Sequence, residues 1–531
     1  MNAPSRLDRL VTPLVFFGLA AVAWLGTRGP GALRDLFEHG HWLAPASEML
    51  AGGVPYRDTF PIHGFLADGG LDYLLFRIFG ASYRLSLDAR HVLVSLFHPA
   101  VFLVAAAAIR RPGLAALTIP LNIGMSIAVI ADRPVVPLLS LAAFLWALGE
   151  ERSKARAVAA GFLGGLGLLY SLDFGTFVLI AEVATLVAGW LAFRGVGGAP
   201  VRAAFYFIGL GAVLLPWLAF LAAIGALGAF LKASFLDLPR LFESTWGLHF
   251  PAPWELVREW MQGHPYYAEG VPIGPAVAKR FYLAPVFGAL GLGLALWTWR
   301  RKKPAVHALR VLVLSLACLG FYRYVIFRFH LGAGNALTGP LFLLLLVTLF
   351  EISGRRRRVA VALTVVGVLA AFSMNGPGRL LAVFRDAASH RERTAPPPSM
   401  VPLTIARGGG IRVPRDSAEN LRELLEFVDV HAPAGAPILD LSNRAALYFF
   451  ARRPNPTRFT EVPPMAAFED EVLSDIQRDR PALVILESGT WLDAIDKIPN
   501  SRRIPRVWAW VEENYPVRVK VAGSTIALPR D

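Results

Sequence analysis

The sequence predicts a polytopic α-helical membrane protein with a small C-terminal extracytoplasmic α/β domain. Its composition, its long apolar runs and a change in character near the end of the chain support this class. Of the 531 residues, 55% are hydrophobic and 17% are charged, whereas charged residues make up about a quarter of an average soluble domain. The mean hydropathy is +0.49. These values exclude a disordered chain and argue against a single soluble domain.

The apolar runs predict about eleven membrane spans, since a helix needs about 17–25 mostly apolar residues to cross a bilayer. The predicted spans are 11–27, 91–109, 113–131, 134–149, 156–171, 174–193, 203–225, 281–299, 306–326, 336–352 and 359–375. The first run follows Arg6 and Arg9. It is predicted to be an uncleaved anchor and not a signal peptide, because further spans follow it.

Positive charge sets the predicted orientation. With the N-terminus in the cytoplasm, each predicted cytoplasmic turn carries excess Lys and Arg, as in Arg300–Lys303 and Arg355–Arg358, in keeping with the positive-inside rule. Residues 376–531 hold 21 Lys/Arg and 20 Asp/Glu, so the net charge of +14 lies almost entirely in the membrane part. The bilayer explains this excess, and no nucleic-acid partner is expected.

The predicted domains are a membrane domain at 1–375 with outer loops 28–90 and 226–280, a linker at 376–402 and an outer α/β domain at 403–531. Short helices and strands alternate in the last of these, which is typical of a small α/β domain. The predicted elements are helices Ser417–His431 (with Ser417 as N-cap) and Met465–Arg478, and strands Pro437–Leu441, Ala482–Leu486 and within Val517–Leu528. Gly408–Gly410 is predicted to be a flexible connector.

The first outer loop concentrates the groups that can do chemistry. Its candidate residues are Asp35, Glu38, His39, His41, Tyr56, Arg57, Asp58 and His63. Charged groups near the hydrocarbon boundary are costly unless they are paired or functional. The alternative interpretation is a solvated loop with local ion pairs, such as Arg57 with a nearby acid. Amphipathic helices at 41–51 and 66–79 are predicted to lie along the membrane interface.

Other candidates come from two further outer positions. Between spans nine and ten lie Arg328, His330 and Asn335, where an arginine suits an anionic head group because its planar fork donates two hydrogen bonds. Asp173 lies between spans five and six, with a helix-capping acid as the alternative reading. Asp132-Arg133 is predicted to be a turn with a local ion pair.

A metal site has weak support from the spacing. Glu38 and His41, three residues apart, would share one helical face and a divalent ion. The first outer loop has neither an H-x-E nor an H-E-x-x-H pattern and supplies no third ligand, so no metal ligand is assigned. The single cysteine, Cys318, permits no internal disulfide.

The stretch Glu48-Met-Leu-Ala-Gly-Gly-Val-Pro-Tyr-Arg-Asp58, the tail segment Leu447–Arg458 and the predicted topology together resemble the GT-C superfamily of integral membrane glycosyltransferases. The chain looks most like bacterial family-39-like proteins, related to protein O-mannosyltransferases and lipid A aminoarabinose transferases. The resemblance covers nearly the whole chain and implies a GT-C-like fold. In that family an Asp-Glu pair in the first loop supplies the catalytic carboxylate. Here Phe37-Glu38 stands at that position, so the leading acid is absent or displaced to Asp35.

The resemblance implies an inverting glycosyltransferase at the outer face of a bacterial inner membrane. It would move a sugar from a polyprenyl-phosphate carrier to a hydroxyl of a glycan, lipid or protein acceptor. Glu38 would act as general base, with Asp58 orienting the acceptor or sharing that role. The negative charge of the leaving phosphate would be stabilised by Arg328, His330 or Arg57.

The remaining substrate-binding candidates are Asp35, His39, His41, Tyr56, His63, Asp173 and Asn335. The expected partners are membrane lipid, the lipid-linked sugar and the acceptor. No cofactor is required, and a divalent metal stays open as a weakly supported addition.

Two other functions stay open. One is a lipid-linked sugar flippase or transporter, although the chain has no internal repeat and its polar groups cluster at the predicted outer surface, unlike most transporters. The other is a non-catalytic envelope assembly factor of the same fold, which Phe37 motivates.

Overall fold

The computed structural model describes residues 6–27, 36–109, 132–148, 154–192, 199–244, 305–327 and 399–530, together with short pieces within 115–119, 258–262, 288–300 and 385–388. These residues form two compact units. Unit 1 is drawn from 1–28, 90–217 and 249–390, and unit 2 from 29–89, 218–248 and 391–531. The segment after the first helix therefore belongs to the same unit as the C-terminal tail.

Unit 1 is helical in its described part. Its helices are Arg6–Thr27, Phe97–Ile109, Val135–Leu148, Lys154–Tyr170, Leu172–Ala192, Ala199–Ala223 and Ala305–Phe327, and the helix Tyr83–Ser95 leads into it from unit 2. Among the residues that the structure describes, three helical stretches are long and apolar enough to cross a membrane, namely Tyr83–Ile109, Leu172–Leu191 and Pro200–Ala223. Their mean hydropathies are 2.3, 1.8 and 2.0.

Small residues let two of these helices approach each other closely. A Cβ added at Gly161 would lie 1.8 Å from the Tyr206 carbonyl oxygen, and one added at Gly209 would lie 2.0 Å from that of Val158. The helices Lys154–Tyr170 and Ala199–Ala223 therefore pack backbone to backbone. Such packing is typical of helices in membranes, where small residues replace a hydrophobic driving force.

The described helices begin and end within about eight residues of seven predicted spans. Of the other four spans, 336–352 and 359–375 lie outside the described residues, 113–131 lies mostly outside them, and 281–299 is described only in pieces from 288 onward. The total of about eleven spans and the orientation therefore stay predictions.

Unit 2 combines short helices with two small sheets. Its α-helices are Gly40–Leu50, Leu71–Phe79, Leu227–Lys232, Leu238–Ser244, Arg415–His431, Ala446–Ala451, Val462–Ala467, Glu469–Arg478, Asn500–Arg503 and Pro505–Asn514. Its strands are β1 Met400–Pro402, β2 Arg412–Pro414, β3 Leu439–Asp440, β4 Val484–Glu487, β5 Val517–Val521 and β6 Ser524–Leu528. The larger sheet has the order β3-β4-β6-β5.

The pairing in this sheet is mixed. β3 and β4 are parallel, with Leu439 opposite Val484, and the helices between them make the crossover that a parallel pair needs. β5 and β6 form an antiparallel hairpin with Val519 opposite Ile526. The small α/β region predicted for the tail is thus present in unit 2.

The helix Gly40–Leu50 packs into the same hydrophobic core as the tail. Its residues Leu43 and Ala44 are buried in one cluster with Leu447 and Phe449. At its start, a Cβ added at Gly40 would lie 2.4 Å from the Cβ of Ala445. Only glycine fits such an approach, so the loop and the tail meet at van der Waals contact there.

Polar contacts reinforce this packing. The Ala446 amide donates to the Leu36 carbonyl at 3.0 Å. The Arg407 guanidinium donates to the Ser47 hydroxyl at 2.8 Å and to the Phe449 carbonyl at 2.9 Å. Backbone and side chains from 36–50 and 407–449 are therefore held in one arrangement.

A buried arginine joins a third segment to the tail. Nη2 of Arg458 lies 2.8 Å from a carboxylate oxygen of Asp237, and its Nε lies 2.6 Å from Glu471. The guanidinium also lies over the rings of Phe60 and Phe459, at 4.9 and 4.7 Å from their centroids. Each charge of this buried group is paired, as its burial requires.

The structure corrects two predictions for the helices of unit 2. The helix predicted at 41–51 does not have a free apolar face for the membrane interface, since Leu43, Ala44, Ala46 and Met49 are buried within unit 2. Ser417 is not an N-cap: the helix begins at Arg415, after Pro414, whose backbone is extended. Proline ends the preceding strand and cannot continue its hydrogen bonding.

Two further tail predictions differ in detail. The helix predicted at Met465–Arg478 is two helices, because Phe468 leaves the helical region at φ −130° and ψ 36°. Gly408–Gly410 is a tight turn: Gly409 and Gly410 both have φ +68°, and Gly409 lies against Ser82 and Arg84.

Replacing Gly40 with alanine is expected to destabilise unit 2. The added methyl group would overlap the backbone at Ala445, which cannot move aside without disturbing the core, and overpacking of this kind costs about 1–3 kcal/mol. Thermal unfolding of the purified protein, followed by tryptophan fluorescence, measures the loss. Gly228→Ala is the matched control, because a Cβ there has nothing within 4 Å. An equal midpoint for both variants would contradict the close approach.

Candidate functional site

The candidate site is centred on a histidine and a buried glutamate of unit 2. Nδ1 of His41 lies 2.9 Å from Oε1 of Glu461, whose side chain is 1% exposed. Burial alone would lower the pKa of His41. The charge and hydrogen bonding of Glu461, with smaller contributions from Glu38 and Asp68, instead raise that pKa to about 9. His41 is therefore an imidazolium at neutral pH.

Glu461 is the more constrained partner. Burial raises the pKa of its carboxyl above the usual range and Glu38 adds to the rise, while His41 and His63 oppose it. Apart from the contact with His41, neither of its oxygens has a hydrogen-bond partner in the described part of the chain. A buried carboxylate is stable only beside a compensating charge, and His41 supplies it.

A second imidazole and carboxylate lie beside this pair. Nδ1 of His63 lies 3.0 Å from Oδ1 of Asp68, and the His63 backbone amide donates to Oδ2 at 2.7 Å. Burial alone would raise the pKa of Asp68, but His63 and His41 hold it below the usual value. The rings of His41 and His63 lie 5.3 Å apart, edge to face.

Glu38 belongs to the same electrostatic group, because its charge acts on both His41 and Glu461. Its neighbour Phe37 is 1% exposed and packs with Leu492 and Ile495. The Phe37 ring also lies 5.2 Å from the His41 ring. Phe37 anchors the start of the loop against the tail, and the next residue carries the carboxylate. We call Glu38, His41, His63, Asp68 and Glu461 the acid–imidazole cluster.

His39 and Tyr56 make contacts elsewhere in unit 2. Nδ1 of His39 lies 2.5 Å from the Tyr83 hydroxyl, and its ring lies 5.1 Å from that of Trp42. Tyr56 is buried and its ring meets Phe230 at 5.0 Å. The backbone of Tyr56 has φ +66°, a strained value for a residue with a side chain.

Arg57 and Asp58 form the local ion pair that the sequence analysis kept as an alternative. The guanidinium donates to both carboxylate oxygens at 2.9 and 2.8 Å. Burial alone would raise the pKa of Asp58, but Arg57 and the Val54 amide hold it below the usual value. Burial raises the pKa of Glu48, and the charge of Asp58 adds to the rise.

The candidate acid of unit 1 lies in a network of its own. Asp173 accepts from the Ser171 hydroxyl at 2.5 Å and lies 3.3 Å from Arg133. Asp132 pairs with Arg90 at 3.1 Å and accepts from the Tyr170 hydroxyl at 3.2 Å. The predicted local ion pair between Asp132 and Arg133 is therefore wrong: Asp132 pairs with Arg90 and Arg133 pairs with Asp173, each on another helix.

Four candidates lie outside the described residues: Asp35, Arg328, His330 and Asn335. Their roles stay predictions. The cluster also contains Asp68, a charged group of the first outer loop to which no role was assigned, and Glu461, which the sequence analysis did not consider. The sequence did indicate Asp68, since it follows His63 closely in a loop rich in charged groups. It did not indicate Glu461, because a lone glutamate before two prolines looks like surface in a sequence.

No group of three or more histidine, cysteine or acidic side chains in the described residues is arranged to hold a metal ion. The five members of the cluster pair as two acid–imidazole couples, with Glu38 alongside. Such a group can transfer protons and present one fixed positive charge. The divalent metal that the sequence analysis kept open stays an untested addition.

Raising the pH is expected to weaken the protein through His41. A histidine whose pKa is raised on folding contributes stability that is full below its unfolded value, near 6.5, and is lost as the pH rises through about 9. The shift corresponds to on the order of 3 kcal/mol. Thermal unfolding midpoints between about pH 6 and 10 measure it. His41→Asn should flatten the dependence, and an equal slope in both proteins would contradict the pairing.

No protein-family profile matches this sequence, and no curated protein matches it. The fold is similar to that of the crystal structure of an Archaeoglobus fulgidus oligosaccharyltransferase in complex with zinc and sulfate. The identity is 13% and the TM-score is 0.43, over 94% of this chain and 71% of that chain.

Proposed function

We propose that this chain is an inverting glycosyltransferase that uses a polyprenyl-phosphate sugar as donor and acts at the outer face of a bacterial inner membrane. The observation that carries the proposal is the acid–imidazole cluster, in which Glu38 lies within the electrostatic reach of a charged His41. The sequence resemblance to the GT-C superfamily supplies the reaction class. The acceptor is a hydroxyl of a glycan, lipid or protein.

In the proposed mechanism Glu38 removes the proton from the acceptor hydroxyl as that oxygen attacks the anomeric carbon. The carbon–oxygen bond to the carrier phosphate breaks on the opposite side, so the configuration inverts. The polyprenyl phosphate leaves as a stable anion and needs no strong general acid. General-base assistance of this kind contributes about 10²–10⁴-fold to a rate.

The leaving phosphate needs positive charge nearby. Arg57 is already paired with Asp58 by two hydrogen bonds, which makes it the weaker of the proposed phosphate ligands. Arg328 and His330 keep that role in the proposal. His41, as an imidazolium, adds a further positive charge close to the proposed base Glu38.

Exposed apolar side chains in unit 2 support access from a lipid phase. Ile78 and Phe79 on the helix Leu71–Phe79 are 71% and 70% exposed, and Phe235 and Leu236 are 69% and 66% exposed. Apolar patches of this kind are costly in water and mark contact surfaces. A lipid-linked donor brings its sugar to the surface of a bilayer, which suits a site in a unit with such residues.

Two alternative functions differ from sugar transfer in whether a bond is broken and whether a lipid is moved. A flippase moves a lipid-linked sugar across the membrane without breaking the sugar–phosphate bond. A non-catalytic assembly factor, suggested by Phe37, breaks no bond and moves no lipid. The burial of Phe37 against Leu492 and Ile495 weakens the second alternative, because that position has a packing role in addition to any change of chemistry.

Glu38→Gln is expected to reduce sugar transfer at least about 100-fold, because glutamine cannot accept the proton. The assay incubates the purified protein with a panel of polyprenyl-phosphate hexoses and detects released polyprenyl monophosphate by mass spectrometry. Asp58→Asn is the comparison variant and should cost less, since the charge of Asp58 is neutralised by Arg57.

The same panel separates the alternatives. Full release by Glu38→Gln would contradict the general-base role. If the wild-type protein releases no monophosphate but exchanges the lipid-linked sugar between vesicle leaflets, it is a flippase. Absence of both activities for every hexose would favour the assembly factor.

A further inference from the structure

The acid–imidazole cluster contains a carboxylate that the proposed mechanism does not use. Glu461 is 1% exposed, lies 2.9 Å from His41 and has no other hydrogen-bond partner among the described residues. It comes from the tail, more than 400 residues after His41 along the chain. A buried and nearly unpartnered acid is expensive, so its position calls for an explanation.

The backbone of the tail holds Glu461 in place. Glu461 has an extended conformation, with φ −143° and ψ 150°, directly before the helix Val462–Ala467. The next amide, that of Val462, donates to the side-chain oxygen of Asn443 at 2.8 Å. Asn443 is itself fixed, because its Nδ2 donates to the Leu492 carbonyl at 2.8 Å and to Asn500 at 3.1 Å.

Asn443 sits at a special backbone position. It follows β3 and has φ +58°, in the left-handed region that asparagine tolerates better than most residues. Its side chain is fully buried. A network of buried amides at the carboxyl end of β3 thus fixes the backbone directly after Glu461.

The groups that face His41 come from both parts of unit 2. Glu461 contacts Nδ1, and Glu38 and Asp68 act on the ring through their charges. Apolar and aromatic contacts complete the surroundings, with the Phe37 ring at 5.2 Å and the His63 ring at 5.3 Å. Three carboxylates this close repel one another unless a cation lies among them.

We propose that Glu461 is a positioning residue of the site, whose buried carboxylate, 2.9 Å from Nδ1, holds the His41 ring as an imidazolium beside Glu38. The role of Glu38 rests on the proposed function, whereas the state of His41 does not. In this arrangement the tail supplies a part of the site that the loop lacks.

The first test measures the charge of His41 without any activity. Deuterium exchange at the imidazole C2 position, read by peptide mass spectrometry across pH, reports the protonation of each histidine. Wild-type His41 should titrate near pH 9. In Glu461→Gln it should titrate at least about two pH units lower, a 100-fold change in proton affinity, because the charge that opposes burial is gone.

A matched control is Glu423→Gln, the same change at an exposed position on the helix Arg415–His431, which should leave His41 unchanged. Titration of wild-type His41 at or below 6.5 would overturn the proposal, and this result needs no variant to fold. An unchanged His41 in folded Glu461→Gln would overturn it too.

The second test uses the release of polyprenyl monophosphate. Glu461→Gln should move the alkaline limb of the pH–rate profile down by about two pH units, whereas Glu38→Gln lowers the rate at every pH. A Glu461→Gln profile of wild-type shape would overturn the positioning role. If His41 titrates as expected but no variant or wild-type protein has activity, the positioning of His41 stands and the proposed function fails.

Discussion

The contact between the helix Gly40–Leu50 and the tail is the constraint on which the site depends. Gly40 lies so close to Ala445 that a methyl group does not fit, and the Ala446 amide donates to the Leu36 carbonyl. These contacts leave little freedom for the residues between them. Glu38 and His41 are therefore held where the tail can reach them, and Phe37 is buried against Leu492.

With the loop held in this way, the charges of the cluster determine which chemistry the site can perform. Glu461 brings a buried negative charge that is tolerable only beside a cation. His41 becomes that cation, with its pKa raised to about 9 by Glu461, Glu38 and Asp68 against the effect of burial. Arg57 takes no part in this balance, because Asp58 neutralises it at a more exposed position. The cluster therefore holds the positive charge of His41 among several acids.

The sequence predicted the parts of the fold that depend on local patterns. The long apolar runs predicted helices with nearly the observed bounds: the run 134–149 corresponds to the helix Val135–Leu148. Such runs are predictable because the length of an apolar stretch is a local property of the sequence. Turn and cap details were less predictable. Ser417 has the right chemistry for an N-cap, but Pro414 starts the helix earlier, and Phe468 divides a helix that its spacing presents as continuous.

The sequence predicted only those residues of the candidate site that come from the first outer loop. Glu38, His41 and His63 lie close together in the sequence and carry recognisable chemistry. Glu461 is separated from them by hundreds of residues, and nothing in its neighbours reveals that it is buried. The same limit applied to the interfacial helix predicted at 41–51, whose apolar face is covered by tail residues such as Leu447. Contacts between distant segments decide both cases.

The most direct test of this account is a double-mutant cycle on His41 and Glu461. Thermal unfolding would be measured for the wild-type protein, His41→Asn, Glu461→Gln and the double variant at neutral pH. A buried pair in contact predicts strong coupling, of about 0.5–3 kcal/mol, so that the double variant is destabilised little more than the worse single one. Strictly additive losses would mean that the two side chains do not interact, and would contradict a site completed by the tail.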